Sequence, residues 1–299
     1  GTPTHDLLTA AKASYAEGVT DEFIKPIIVT DDKQQAIATI QEGDAVLCFN
    51  FRTDRCREIS QVLTQEAIPD FGMKPLDIYY TTMTDYDRTY KNVHVIFEND
   101  NLNMTLGEVL TKDHCTQIRI AETEKYPHVS FFFSGGREKE FEGERRLMAA
   151  SPKVATYDLK PEMSANELAD LIVPELEKKS ADFIVLNFAN ADMVGHTGVF
   201  EAVVKAVETV DHCVERVVTA ALASDYTVFL TADHGNADFM INADGSPNTA
   251  HSLNLVPFFI INKDFKGTVK DGKLGDIAPT ILHFMGLPVP KEMTGNLLV

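Results

Sequence analysis

Apolar residues recur along this chain in two rhythms. Runs of five to seven residues, several of them β-branched and apolar throughout, predict strands at Ala45–Phe51, Leu76–Tyr80, Val93–Phe97, Gln117–Ala121, Val129–Phe133, Phe183–Phe188, Thr227–Thr231 and Pro257–Ile261. An uninterrupted apolar run is what a strand covered on both faces requires. Helical spacing lies between many of these runs. The clearest helix is predicted from about Val199 to Ala223, where Val203, Val207, Val210, Val214, Val217 and Ala221 are spaced 4, 3, 4, 3 and 4. That spacing draws one apolar stripe along a helix. Ser164-Ala165-Asn166-Glu167 has the form of a capping box and predicts a helix start, with Pro174 expected to end or kink it. Further helices are expected over Asp54–Glu66 and from near Thr105. The alternation predicts an α/β fold with a mainly parallel sheet flanked by helices. The polar run Glu98-Asn99-Asp100-Asn101 is the best break, dividing 1–98 from 99–299.

Composition narrows the partners. A chain of 299 residues with 44% apolar and 24% charged residues has the make-up of a globular protein of one large or two ordinary domains. A formal net charge of −18 argues against nucleic acid or an anionic membrane as partner. A phosphate-bearing substrate would need local cations to overcome that field. No stretch of eighteen apolar residues is present to span a membrane, and Gly1-Thr2-Pro3-Thr4-His5 lacks the regions of a signal peptide. Cys48, Cys56, Cys115 and Cys213 are scattered, which suits thiols in a reducing compartment; the expected location is cytoplasmic.

Three groups of metal-ligating residue types follow or lie near apolar strands. They are Asp192 with His196, the adjacent pair Asp233-His234, and His251. Ligands in open α/β sheets gather beyond the carboxyl ends of the strands. Carboxylates and imidazoles without thiolates suit Mn²⁺, Mg²⁺, Co²⁺ or Zn²⁺. Five ligands exceed the three protein ligands usual for one catalytic ion, so two metals are expected. Each residue alone reads more often as a strand-end cap or a satisfied loop residue; the set carries the inference. In Phe49-Asn50-Phe51-Arg52-Thr53-Asp54-Arg55, a strand runs into a helix start that carries two arginines. Cations are unfavourable at that end of a helix unless an anion joins them, so Arg52 and Arg55 are candidate anion binders. Lys125 by itself reads as a loop lysine. Gly135-Gly136 reads as a turn.

Taken together, these segments resemble the cofactor-independent phosphoglycerate mutases of the alkaline phosphatase superfamily. The resemblance rests on Phe49–Arg55, Glu122-Thr123-Glu124-Lys125-Tyr126, Phe132–Glu138, Ser151–Met163, Asn187–Gly198, Thr231–Ala237, Asp276–Thr280, Met285–Pro288 and Glu292–Gly295. It covers essentially the whole chain in the family's order. It implies an alkaline phosphatase-like domain carrying two Mn²⁺ ions, together with part of a second α/β domain, the transferase domain, in 1–98. By this resemblance Asp192, His196 and His251 hold one metal, and Asp233 and His234 contribute to the other. Arg52 and Arg55 bind phosphoglycerate, and Lys125 stands near the phosphoryl group. The implied reaction interconverts 3-phosphoglycerate and 2-phosphoglycerate through a phosphoserine, in an enzyme that is a monomer when intact. The family's pattern begins with a segment not matched here, and no serine of this chain takes the nucleophile's place by motif. The expectation is therefore an inactive fragment of such an enzyme. Two other readings stand beside it. A related metalloenzyme such as a phosphopentomutase would share the Asp and His ligands but not the arginine segment, and a metal-binding remnant would have no turnover.

Overall fold

A computed structural model describes residues 1–97 and 102–299, apart from the side chains of Glu22, Asp54 and Arg55. The chain divides into two compact units, Gly1–Asn101 and Leu102–Val299. The polar run 98–101 that was expected to mark the boundary lies outside the described residues.

In the first unit the order is β1 (Thr2–Thr4), α1 (Leu7–Ala16), β2 (Ile27–Val29), β3 (Ala45–Cys48), α2 (Asp54–Thr64), β4 (Tyr79–Thr84) and β5 (Val93–Phe97). β1 and β2 form a parallel pair, and β4 lies between β3 and β5 in a parallel sheet. Strand β4 starts later than the expected Leu76–Tyr80 and runs on through Thr81, Thr82 and Thr84. β-branched threonines fit a pleated, covered surface. Tyr80 is buried, and its hydroxyl meets Ser60 of α2 at 3.0 Å, which fixes the helix on the sheet.

The second unit contains α3 (Leu106–Lys112), β6 (Gln117–Glu122), β7 (Glu144–Ala149), α4 (Ala165–Glu177), β8 (Phe183–Leu186), α5 (Asn190–Gly195), α6 (Phe200–Ala223), β9 (Val228–Thr231), β10 (Phe258–Ile261) and α7 (Ile277–Phe284). β6 is central in a parallel sheet of order β7-β6-β8, while β9 and β10 form a separate antiparallel pair. Alternation along the strands feeds two helical layers. Ile118, Ile120, Ile184, Leu186 and Val228 pack with Leu168 and Ile172 of α4 and with Ala220 and Ala221 of α6. Phe183 and Phe229 turn the other way, onto Leu106, Val109 and Leu110 of α3 and onto Ile281 and Leu282 of α7. Each fully buried aliphatic or aromatic side chain contributes about 1.5–3 kcal/mol, so this double layer is the main source of stability in the unit.

Four expectations need correction. Val129–Phe133 is no strand: His128–Phe132 forms a wide helical turn. Pro127 presets the helical φ before it, and the Ser130 hydroxyl donates to Tyr126 O at 2.6 Å. Strand β7, in a charged stretch, was not expected; it is held by its pairing to β6, and its Arg146 reaches Glu144 at 2.6 Å. Helix α4 begins next to Ser164 as expected, but Ser164 makes no side-chain cap; its hydroxyl donates to Ala150 O at 2.7 Å instead. Pro174 does not end α4, which runs on to Glu177. Pro174 and Asp170, whose carbonyl finds no N–H at Pro174, are both exposed.

Candidate metal centre

The site forms where β8 and β9 end. After β8 the chain turns directly into the short helix α5, which carries Asp192; His196 follows one turn later. The i, i+4 spacing places both on one face. His196 Nε2 lies 3.1 Å from Asp192 Oδ1, and His251 Nε2 lies 3.2 Å from the same oxygen. His251 arrives from a loop anchored by a bridge between Gly235 and Ser252, whose N–H donates to Gly235 O at 2.9 Å. Gly235 is required by close approach: a Cβ there would lie 2.2 Å from Ser252 Oγ. The bridge also stacks the rings of His234 and His251, with centroids 3.7 Å apart.

The chemistry of the donors can be read from their second contacts. His196 Nδ1 is 2.7 Å from the Thr249 carbonyl, which can only accept, so Nδ1 carries the proton. The lone pair of Nε2 is left facing the Asp192 carboxylate, an arrangement that is repulsive unless a cation or proton lies between them. Asn236 is 4% exposed, and its amide donates to Asp192 Oδ1 at 2.9 Å and to Asp192 O at 3.2 Å. Lys125, 6% exposed, closes an ion pair on Asp192 Oδ2. Burial alone would raise the Asp192 pKa. The contacts from Lys125 and Asn236, joined by His196 when its Nε2 also carries a proton, outweigh it and hold the carboxyl well below the usual range.

The residues fit a divalent cation. The ligand atoms of Asp192, His196 and His251 all lie within 4.8 Å of one another, and they form the one such triad found among the described residues. One carboxylate with two imidazoles suits Mn²⁺, Co²⁺ or Zn²⁺. Asp233 and His234 stand next to this triad through the His234–His251 stack, with His234 Nε2 and Asp233 Oδ1 3.7 Å apart. They are two further ligand-type groups, not a second complete set. A family model described as the metalloenzyme superfamily matches residues 26–289. The chain belongs to that superfamily.

The similarity to individual members spans the whole chain. A 2,3-bisphosphoglycerate-independent phosphoglycerate mutase of Flavobacterium psychrophilum is 58% identical over 299 residues, all of this chain and 59% of that protein. One from Parabacteroides distasonis is 54% identical over 294 residues, 98% of this chain and 58% of that protein. Among solved structures, Leishmania mexicana phosphoglycerate mutase at low cobalt concentration superposes with a TM-score of 0.87 at 26% identity, covering 100% of this chain and 58% of that one. The chain thus spans about 59% of the length of the relatives it matches.

The remaining candidate residues belong to the first unit. Arg52 sits in the first unit, exposed, in the turn before α2, with its N–H donating to Asn50 Oδ1 at 2.8 Å. The side chain of Arg55 lies outside the described residues. Sequence reasoning assigned no role to Asn236, whose contact with Asp192 spans 44 positions. Its one signal was its place directly after Asp233-His234-Gly235.

Proposed function

We propose that this chain carries the metal-holding part of an enzyme that interconverts 3-phosphoglycerate and 2-phosphoglycerate without a bisphosphoglycerate cofactor. The observation that carries this reading is the convergence of Asp192, His196 and His251, with Lys125 against them, in a chain 58% identical from end to end to a protein named for that activity. Asp192, His196 and His251 would hold one divalent ion, Mn²⁺ in this reading, and Asp233 and His234 would contribute to a second. Such ions neutralise charge on a phosphoryl group in transfer.

The chain's own groups divide the remaining work. Lys125 brings a buried ammonium to the mouth of the site, where it can pair with a phosphoryl oxygen as it pairs with Asp192. Asn236 fixes the Asp192 carboxylate in one orientation, and Thr249 O fixes the His196 tautomer. In the first unit, read as part of the transferase domain, Arg52 and Arg55 would take the glycerate carboxylate or phosphate by forked hydrogen bonds. The acidic whole makes such local cations necessary for an anionic substrate.

A chimera tests the reading. The segment of the Flavobacterium psychrophilum protein that matches this chain is replaced by these 299 residues. Chelator-sensitive conversion of 3-phosphoglycerate is expected, weakened by Arg52→Ala with metal content unchanged. A chimera that folds and loads Mn²⁺ but prefers a pentose phosphate would assign the site to a different metalloenzyme.

A further inference from the structure

Two of the four cysteines converge inside the first unit. Cys48 ends β3 and is half-buried; Cys56 lies in the first turn of α2 and is buried. Both thiols meet one phenol. The Tyr86 hydroxyl lies 3.6 Å from Cys48 Sγ, and the Cys56 thiol reaches it too. Two sulfurs that share one hydroxyl are no further apart than two hydrogen-bond lengths. Tyr80 closes the group from β4. Its hydroxyl contacts the Cys48 thiol and meets Ser60, one helical turn after Cys56, at 3.0 Å. No disulfide links the pair in the structure.

The segment that the two cysteines bracket is the one that carries Arg52 and Arg55. Its path is set by the same phenol. The Tyr86 hydroxyl donates to Asn50 O and lies 3.3 Å from Cys48 O, and Asn50 Oδ1 accepts the Arg52 N–H at 2.8 Å. A carbonyl only accepts, so the phenol's proton goes to Asn50 and its lone pairs are left to the thiols. Burial pushes the Tyr80 phenol up to about 12 and raises Tyr86 as well, so both stay neutral. One hydroxyl thus supports the backbone leading to Arg52 and stands against both sulfurs. A bond between those sulfurs would disturb that support.

We propose that Cys48 and Cys56 form a reversible disulfide, made by hydroperoxide, that resets the turn carrying Arg52. Cys48, the more exposed of the two, reacts first. Its thiolate attacks one peroxide oxygen, the O–O bond breaks, and the departing hydroxide takes a proton and leaves as water. Cys48 is then a sulfenic acid. The Cys56 sulfur attacks the Cys48 sulfur, the S–O bond breaks, and the hydroxide leaves as water with the Cys56 proton. Two thiols and one peroxide become one disulfide and two waters. The bond draws the sulfurs to about 2.05 Å, away from their shared hydroxyl. Asn50 then loses its fixed place, and Arg52 N–H loses its acceptor. A pair that is reduced at rest fits a redox-sensing disulfide, not a structural one. The effect on phosphoglycerate rests on the reading of Arg52 and Arg55 proposed above; the disulfide does not.

The test treats the whole chain with hydrogen peroxide, alkylates the remaining thiols and digests with trypsin. Cleavage after Arg52 and Arg55 separates Gln34–Arg52 from Cys56-Arg57, so these peptides stay together only through a Cys48–Cys56 bond. The joined pair is expected, and dithiothreitol should part it. In the oxidised chain, amide exchange at Arg52 should speed up by about tenfold and return on reduction. Cys48→Ser and Cys56→Ser should each show neither effect. In the chimera described above, oxidation should raise KM for 3-phosphoglycerate by about tenfold or more, the worth of one hydrogen bond to a charged group, and Cys56→Ser should abolish the rise. No joined pair, or a bond from either cysteine to Cys115 or Cys213, would overturn the disulfide. Arg52 exchange that is unchanged or slowed, or equal KM in oxidised and reduced chimeras, would overturn the switch. A reduced chimera without conversion would count against the mutase reading alone, because the peptide map and the exchange at Arg52 still decide the proposal.

Discussion

Asn236 holds the most informative single position in the site. Its amide makes two contacts to Asp192, and Gly195 opposite leaves room for it: a Cβ on Gly195 would lie 2.3 Å from Asn236 Oδ1. Residues that orient metal ligands typically affect metal affinity by 10- to 100-fold. Asn236→Ala is therefore expected to weaken Mn²⁺ binding by about tenfold or more in competition with a chelator, with little change in fold. Gly195→Ala should do the same by displacing the amide, at a stability cost of about 1–3 kcal/mol from overpacking. The affinity losses should not add, since both act through one side chain, and the double variant measures that directly. Additive losses would mean that Gly195 and Asn236 act on the metal independently.

At the scale of elements, the carboxyl end of β6 shows how a buried charge ties the layers together. Glu122 is fully buried; it accepts from the Ser151 hydroxyl at 2.8 Å and from the Ser164 N–H, just before α4, at 3.3 Å. Burial raises its pKa above the ordinary glutamate value despite those two bonds. The folded state then holds its proton to higher pH than the unfolded state does. Below the ordinary value both states are protonated and Glu122 costs nothing. As pH rises from there through the raised value, stability falls, then levels off. Glu122→Gln removes that step. The difference in urea midpoint between parent and variant should shift in favour of the variant across this window, and a pH-independent difference would contradict the assignment.

The elements legible in the sequence were those whose apolar pattern and tertiary role coincide. β5 fell on its expected bounds, and β3, β6, β8 and α6 came within a few residues of theirs. Of the stripe read on α6, Val203 and Ala221 are buried, Val210, Val214 and Val217 are half-buried where they line a cleft between β8 and β9, and Val207 is exposed; the buried face is completed by Ala202, Ala206, Cys213 and Ala220. β7 was illegible because Glu144, Arg145 and Arg146 give no apolar run; its place is set by a partner strand far away in sequence. The run Val129–Phe133 misled because an apolar stretch after a proline suits a helical turn as well as a strand. Ligand residue types were legible singly. That Asp192, His196 and His251 meet, and that Asn236 and Thr249 O orient them, follows from loops that close over more than 40 positions.

For the whole molecule, the net charge of −18 complicates any metal measurement, since an acidic surface gathers divalent cations without a site. Screening at physiological salt removes much of that background and leaves a buried cluster nearly untouched. Site binding also stabilises the fold by linkage, about 2.7 kcal/mol at a hundredfold excess over Kd, whereas loose surface ions do not saturate. Melting temperature should thus rise with Mn²⁺ and plateau, and EDTA should reverse the rise. Such thermal behaviour belongs to the fold as a whole, yet its cause lies in three side chains. The most direct test is a calorimetric Mn²⁺ titration, at physiological salt, of the parent chain and His251→Ala. That substitution removes a ligand but leaves the count of acidic groups unchanged. The account predicts a saturable tight site in the parent that weakens by about a hundredfold or vanishes in the variant. Equal tight binding in both proteins would show that the convergence of Asp192, His196 and His251 is not the metal centre.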